Sequence, residues 1–245
     1  MALYVVGTPI GNMEDLSPRA LAALKGADLV ACEDTRRTAA MLARFGVRAE
    51  LTSYWEHNEP EAALRIARRL EAGDCVALVS SAGTPGISDP GYRLVNEALR
   101  LGIDVIPIPG PCAFVAALSA SGLPTDRFTF RGFPPRKALR RARELRAASL
   151  EEATQVFYES PQRVGRLLAE LLEAFGDRRA VVAREVTKKF EQFDRGRLKD
   201  LAARWGGIRA RGEFTVMVEG GKAGESEDLD TGTGGVPEGD SEGDR

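Results

Sequence analysis

Four short stretches hold the residue types that do chemistry, and each follows an apolar run. Ser80-Ser81-Ala82-Gly83-Thr84-Pro85-Gly86 comes after Val76 to Val79, and Glu33-Asp34-Thr35-Arg36-Arg37 comes after Asp28 to Cys32. Glu159-Ser160-Pro161 follows Gln155 to Tyr158, and Arg184-Glu185-Val186-Thr187-Lys188-Lys189 follows Ala180 to Ala183. Short aliphatic and β-branched runs are strand signals, so the polar groups gather at strand ends. The first loop has no bulky side chain. Such a loop lets a flat ligand lie on the main chain, because glycine lacks the Cβ that would hold it off. The same residues also suit a tight turn. They match neither G-x-G-x-x-G nor a loop ending in Gly-Lys-Ser/Thr, which leaves a nicotinamide or ATP site without support. Glu33 and Asp34 suit a site and equally a helix N-terminus, where the helix dipole favours acids. His57, the only histidine, reads as a base near neutral pH or as a loop residue beside a helix start.

The elements around these stretches alternate. Val76 to Val79, the small-residue loop, a helix over Tyr92 to Leu101 closed by Gly102, and Ile103 to Ile108 make a βαβ unit. Such a unit implies parallel strands with a ligand crevice at their carboxyl ends. Before it come a strand over Leu3 to Val6, a helix from Ser17-Pro18 to about Gly26, a helix over Thr38 to Phe45, and one from Pro60 to about Ala72. After it come a helix over Cys112 to Ser121, a strand over Phe128 to Phe133, and a helix over about Arg136 to Ser149. A helix over Val164 to Phe175, another over Leu198 to Trp205 and a strand over Phe214 to Val218 complete the alternation. At 100° per residue Ala138, Leu139, Ala142, Leu145 and Ser149 share one side of the helix from Arg136. Arg136, Lys137, Arg140, Arg141 and Arg143 fill the other, a face suited to phosphate contact or to plain solvation.

At 245 residues the chain can bury a real core. Its 43% hydrophobic and 29% charged residues are those of an ordinary soluble protein. No apolar run is long enough for a bilayer and no signal peptide is read, so the expected compartment is the cytoplasm. Cys32, Cys75 and Cys112 form no Cys-x-x-Cys pair, which argues against zinc and disulfide frameworks and leaves each a small buried hydrophobe. No metal is expected. Residues 222–245 hold eight acids against Lys222 and Arg245, so the formal −2 of the chain conceals a tail of −6 and a body of +4. The tail is expected to be disordered, and the basic body permits a polyanionic partner.

Taken together and in order, Gly7-Thr8-Pro9-Ile10-Gly11-Asn12, Glu33-Asp34-Thr35-Arg36, His57-Asn58-Glu59, Ala82 to Gly91, Pro109-Gly110-Pro111, Ser121-Gly122-Leu123-Pro124, Tyr158-Glu159-Ser160-Pro161 and Arg184 to Lys188 resemble one family. It is that of the small-subunit ribosomal RNA cytidine 2′-O-methyltransferases, within the tetrapyrrole methylase superfamily, or class III methyltransferases. The resemblance covers roughly residues 3 to 220. It implies an α/β fold of two α/β domains with a cofactor cleft between them, over residues 1–110 and 111–221, ahead of the acidic tail over 222–245 already expected to be disordered from its composition. It also implies a homodimer, S-adenosylmethionine as methyl donor, and a cytidine ribose in the decoding centre of 16S rRNA as acceptor. Cofactor contacts are expected on Pro9, on Ala82, Gly83, Thr84 and Ile87, and on Cys112 and Ala113. Tyr158, Glu159 and Val186 complete that set. Glu33, Asp34, Glu185 and Lys188 are the catalytic candidates, and Arg36 joins Arg136, Lys137, Arg140, Arg141 and Arg143 as the expected RNA contacts.

This chain departs from the family pattern in three places. Ser81 stands where the family usually has Asp, Trp55 stands where a histidine is common, and the acidic tail replaces a helical extension found in some members. Two other readings share the loops: a methyltransferase for a tetrapyrrole or other small molecule, and a non-catalytic RNA-binding protein.

Overall fold

The computed structural model describes residues 1–221; the stretch 222–245, expected to be a disordered tail, lies outside the described residues. The first half runs β1 (Ala2–Val6), α1 (Pro18–Gly26), β2 (Leu29–Cys32), α2 (Thr35–Arg44), β3 (Glu50–Ser53), α3 (Glu59–Glu71), β4 (Cys75–Val79), α4 (Tyr92–Arg100) and β5 (Val105–Ile108). Its sheet has the order β3-β2-β4-β1-β5 with every neighbouring pair parallel. Both faces are covered, which is why its inner strands read as unbroken apolar runs. Leu3, Ala31, Val76 and Leu78 pack with α3 and α4 on one face. Val6, Val30, Ala77 and Val79 pack with α1 and α2 on the other, the two-residue alternation of a strand.

The strand order sets where a ligand can enter. From β1 the chain crosses by α1 to the β2 side of the sheet, whereas from β4 it crosses by α4 on the opposite face to β5, beyond β1. The loops leaving the carboxyl ends of β1 and β4 therefore part in opposite directions and open a crevice.

The second half holds α5 (Ala113–Ser119), β6 (Phe128–Gly132), α6 (Ala138–Ala148), β7 (Thr154–Glu159), α7 (Val164–Phe175), β8 (Arg179–Arg184), β9 (Gln192–Arg197), α8 (Leu198–Trp205) and β10 (Phe214–Val218). Its order is β6-β7-β10-β8-β9, with β6 and β7 parallel and the other pairs antiparallel. Leu145 of α6, Leu168 of α7 and Trp205 of α8 pack on one face, and Phe114 and Ala117 of α5 on the other. The α/β architecture with two sheets is the one expected from the sequence.

The differences are local. α2 starts three residues early because the Asp34 carboxylate caps it, accepting from the Arg36 and Arg37 N–H groups at 2.9 and 3.1 Å. β3 and β9 were not expected. Both are edge strands whose polar sequences, Glu-Leu-Thr-Ser and Gln-Phe-Asp-Arg-Gly-Arg, leave no apolar run to detect. Of the cysteines, Cys32 is buried as expected but Cys75 and Cys112 are only half-buried.

The helix expected over 136–149 buries a different stripe: Arg141, Leu145 and Ala148 face the core, while Leu139 is 68% exposed. A buried guanidinium must be paired. Arg141 grips Glu170 with two bonds of 2.6 and 2.7 Å and donates to the carbonyls of Pro135 and Arg136 at 3.0 and 3.2 Å. Its place among the expected RNA contacts is therefore corrected: the group is structural.

Tyr54 ties the loop after β4 to the rest of the sheet. Its ring is 1% exposed, and its hydroxyl donates to Glu59 Oε1 at 2.7 Å and accepts from Leu94 N at 3.1 Å. Glu59 also accepts from Gly91 N at 3.2 Å, so the N-terminus of α4 hangs on this pair. Tyr54→Phe is expected to lower unfolding stability by about 1–3 kcal/mol, since the Leu94 N–H would lose its partner in the interior. Denaturant titration measures it.

Candidate active site

A cavity of about 370 Å³ opens at the crevice and is closed by the second sheet, within the range of small-molecule sites. Its floor is main chain. Gly83 has φ +89, and its backbone exchanges two hydrogen bonds with Thr8, of 2.9 and 3.1 Å. A Cβ at Gly83 would lie 3.3 Å from the Ile10 methyl and 3.5 Å from the Pro111 carbonyl. Below it Gly7 and Gly110 touch, and a Cβ on either would stand 2.7 Å from the other's Cα. Thr84 Oγ1 donates to Pro111 O at 3.0 Å and fixes the loop to the segment leading into α5.

The opposite wall comes from β7, the segment after β8 and the start of β10, with Tyr158, Val186, Lys188 and Glu213 lining the space. Tyr158 accepts from Phe114 N at 3.1 Å and sits in an aromatic cluster, its ring 4.9 Å from Phe130 and 5.6 Å from Phe133. Burial, reinforced by the neighbouring Cys112, pushes its phenol well above the ordinary range. Among the described residues only Ser88, Glu185 and Thr187 leave the right-handed and extended regions without being glycine, at φ 61, 53 and 69. Ser88 lines the cavity and the other two flank Val186, so backbone strain is concentrated at the rim.

The acidic groups differ in their partners. Glu159 is bound by Arg163 at 2.6 Å and by the Ser160 N–H at 2.6 Å. Glu213 pairs with Lys188 at 2.7 Å. Glu185 meets Lys188 at 2.8 Å and the Glu213 N–H at 3.0 Å; burial opposes its ionisation, but these bonds outweigh burial and hold its carboxyl below the usual range. For Lys188 burial likewise opposes charge, and the two carboxylates prevail and raise its ammonium. Asp89 faces the cavity differently. Burial, then the nearby Glu33 charge, push it up to about 6, with a hydrogen bond from Ser80 pulling the other way.

All the expected cofactor contacts except Pro9 line this cavity; Pro9 is buried in the turn, and Ile10 beside it reaches the space. Among the catalytic candidates only Lys188 does. Glu33 and Asp34 line an adjoining recess with Arg36, Arg37 and Ser81, of which Arg37 and Ser81 also reach the main cavity. Asp34 is occupied as the α2 cap, and the bonds from the Arg37 and Arg36 N–H groups lower its carboxyl despite some desolvation. Asp89, Ile10, Phe133 and Glu213 were missed. Asp89 lies within the Ala82 to Gly91 stretch that carries the resemblance, whereas Glu213 has no local signal.

The residues present fit S-adenosylmethionine. The bare floor at Ala82 to Thr84 takes a planar base, a fit that a Cβ at Gly83 would crowd. The Tyr158 and Phe133 rings supply the negative faces that a sulfonium requires.

Residues 2–202 match the family described as tetrapyrrole (corrin/porphyrin) methylases. The ribosomal RNA small subunit methyltransferase I of Mesorhizobium japonicum is 48% identical over 94% of this chain and 79% of that protein. The same-named protein of Pseudomonas aeruginosa is 49% identical over 92% and 81%. Among solved structures, uroporphyrin-III-C-methyltransferase from Thermus thermophilus superposes with a TM-score of 0.63 at 25% identity, over 90% of this chain and 94% of that one.

Gly83→Ala forces an L-residue into the left-handed region, at a cost of about 1–2 kcal/mol, and crowds Ile10. Calorimetric titration is expected to show S-adenosylmethionine affinity reduced by about tenfold, the equivalent of 1.4 kcal/mol.

Proposed function

This chain belongs to the tetrapyrrole methylases and, within them, to the ribosomal RNA small subunit methyltransferase I family, and from that premise we propose that it methylates the 2′-hydroxyl of a cytidine ribose in the decoding centre of 16S rRNA. The observation that carries the reading is the cavity itself, floored by main chain from the loops after β1 and β4 and closed by Val186 and Tyr158 from the second sheet. Bound there, S-adenosylmethionine supplies a methyl group on a positively charged sulfur, which a nucleophilic oxygen can take in line.

The chain's own residues position and exclude. The Ala82 to Thr84 main chain and Ile10, Ile87 and Cys112 hold one end of the donor in place, and the aromatic rings keep water from the other. Such fixed geometry replaces most of the covalent chemistry an enzyme would otherwise need. Lys188 bridges Glu185 and Glu213, which fixes the strained segment around Val186 against β10.

An RNA acceptor also needs a path for phosphates. Lys137, Arg140 and Arg143 on and beside α6 are exposed. Arg136, Arg163 and Arg166 line a recess that shares Glu159 and Ser160 with the main cavity. This basic surface adjoins the cavity and supports a polyanionic acceptor better than a small one. In this reading residues 1–110 and 111–221 are two domains, the protein is a homodimer, and it works in the cytoplasm where small subunits are assembled.

Two measurements test the proposal. With S-adenosylmethionine and unmodified small subunits, mass spectrometry is expected to map one new methyl group to a cytidine ribose; transfer to a porphyrinoid and not to RNA would refute it. Replacing Arg140 and Arg143 by alanine is expected to weaken RNA binding and to flatten the log K against log salt slope by about 1.4, two single-strand phosphate contacts. An unchanged slope returns that face of α6 to plain solvation.

A further inference from the structure

We propose that Asp89 is the catalytic residue that takes the proton from the acceptor hydroxyl. This inference rests on the reading of the acceptor as a ribose hydroxyl. A ribose hydroxyl is a weak acid, and its oxygen gains nucleophilicity when a positioned acceptor removes the proton during attack. Such an acceptor needs a free lone pair in the cavity and no cation holding it ionised.

Three carboxylates line the cavity: Asp89, Glu159 and Glu213. Glu159 is occupied by Arg163 and by the Ser160 amide, and Glu213 by Lys188. Glu185, outside the lining, has both Lys188 and a backbone N–H on one oxygen. Each of these already has a cation or an N–H donor on its carboxylate. Asp89 has no ion pair among the described residues, and the Ser80 hydroxyl near it donates to the Gly83 carbonyl at 3.1 Å. It is held in place from both sides, by the Ser88 strain before it and by the Gly91 amide on Glu59 after it.

Burial, then the nearby Glu33 charge, keep its affinity for a proton high. Glu33, after β2, is the like charge, and Tyr158, on β7, is a neutral phenol at neutral pH. Arg37 of α2, Lys188 and Glu213 share the same cavity, but Lys188 and Glu213 neutralise one another. The proton balance is simple. Asp89 takes the hydroxyl proton as that oxygen bonds to the methyl carbon and the carbon–sulfur bond breaks, the electron pair returning to sulfur as a neutral thioether. Asp89 then releases the proton to water.

The sequence change Asp89→Asn tests this through stability and rate together. Burial and Glu33 hold the folded carboxyl near 6 against an ordinary value of 3.8, so the folded protein binds this proton more tightly. Asp89 therefore costs stability that is absent below about pH 4 and fully present above about pH 6. Asp89→Asn is expected to melt higher than the wild type at pH 7.5 and together with it at pH 4, and to keep S-adenosylmethionine binding by calorimetry. Methylation of small subunits is expected to fall by about 10²-fold or more, the usual share of a positioned base. Glu33→Gln removes the like charge, so the acidic limb of kcat/KM should move to lower pH. Ribose methylation at the wild-type rate in Asp89→Asn, or an acidic limb unmoved in Glu33→Gln, overturns the role of Asp89 and leaves the methyltransferase reading intact. A wild-type product methylated on a base atom overturns the hydroxyl reading and this inference with it.

Discussion

The structure depends on backbone meeting backbone with nothing between. Gly7 and Gly110 are so close that a single Cβ at either would collide with the other's main chain, and Thr8, next to Gly7, exchanges backbone hydrogen bonds with Gly83. Three loops, from the ends of β1, β4 and β5, converge because Gly7, Gly83 and Gly110 carry no side chain. That convergence makes the smooth floor on which a planar ligand can rest. Ordering glycine on folding costs more backbone entropy than ordering other residues, and the two cores of the first sheet, which clamp β1 between β4 and β5, offset it.

Electrostatics divides the acids near this floor into two kinds. Glu159, Glu185 and Glu213 have arginine, lysine or N–H partners and tie the second sheet's loops together. Asp89 is set apart by burial and by a like-charged neighbour. The same division explains the basic residues. Arg141 is spent on Glu170 inside the fold, whereas its neighbours Arg140 and Arg143 stay in solvent. One face of α6 thus serves packing through a charge while the other remains available to a polyanion.

Much of this was readable in the residues, and the gaps have physical causes. The limits of α7, α8 and β10 follow from apolar spacing that matches the helical or strand period throughout. β3 and β9 escaped because an edge strand buries little and their polar sequences leave no apolar run. Arg141 was assigned to the surface because periodicity counts a guanidinium as polar, and only the three-dimensional position of Glu170 reveals that it can be buried. Among the site residues, main-chain contacts such as Gly83 and Thr84 were legible since their composition is what the cavity needs. Asp89 and Glu213 were not, because their importance lies in the partners that neighbouring acids have and Asp89 lacks.

The central claim is that one cavity, built jointly by the loop after β4 and the segment after β8, receives S-adenosylmethionine. Hydrogen exchange measured with and without S-adenosylmethionine tests it most directly. The account predicts slowed exchange at both Ser81 to Thr84 and Glu185 to Lys188. Protection of only one of these segments, or of neither while the ligand is bound, would contradict it.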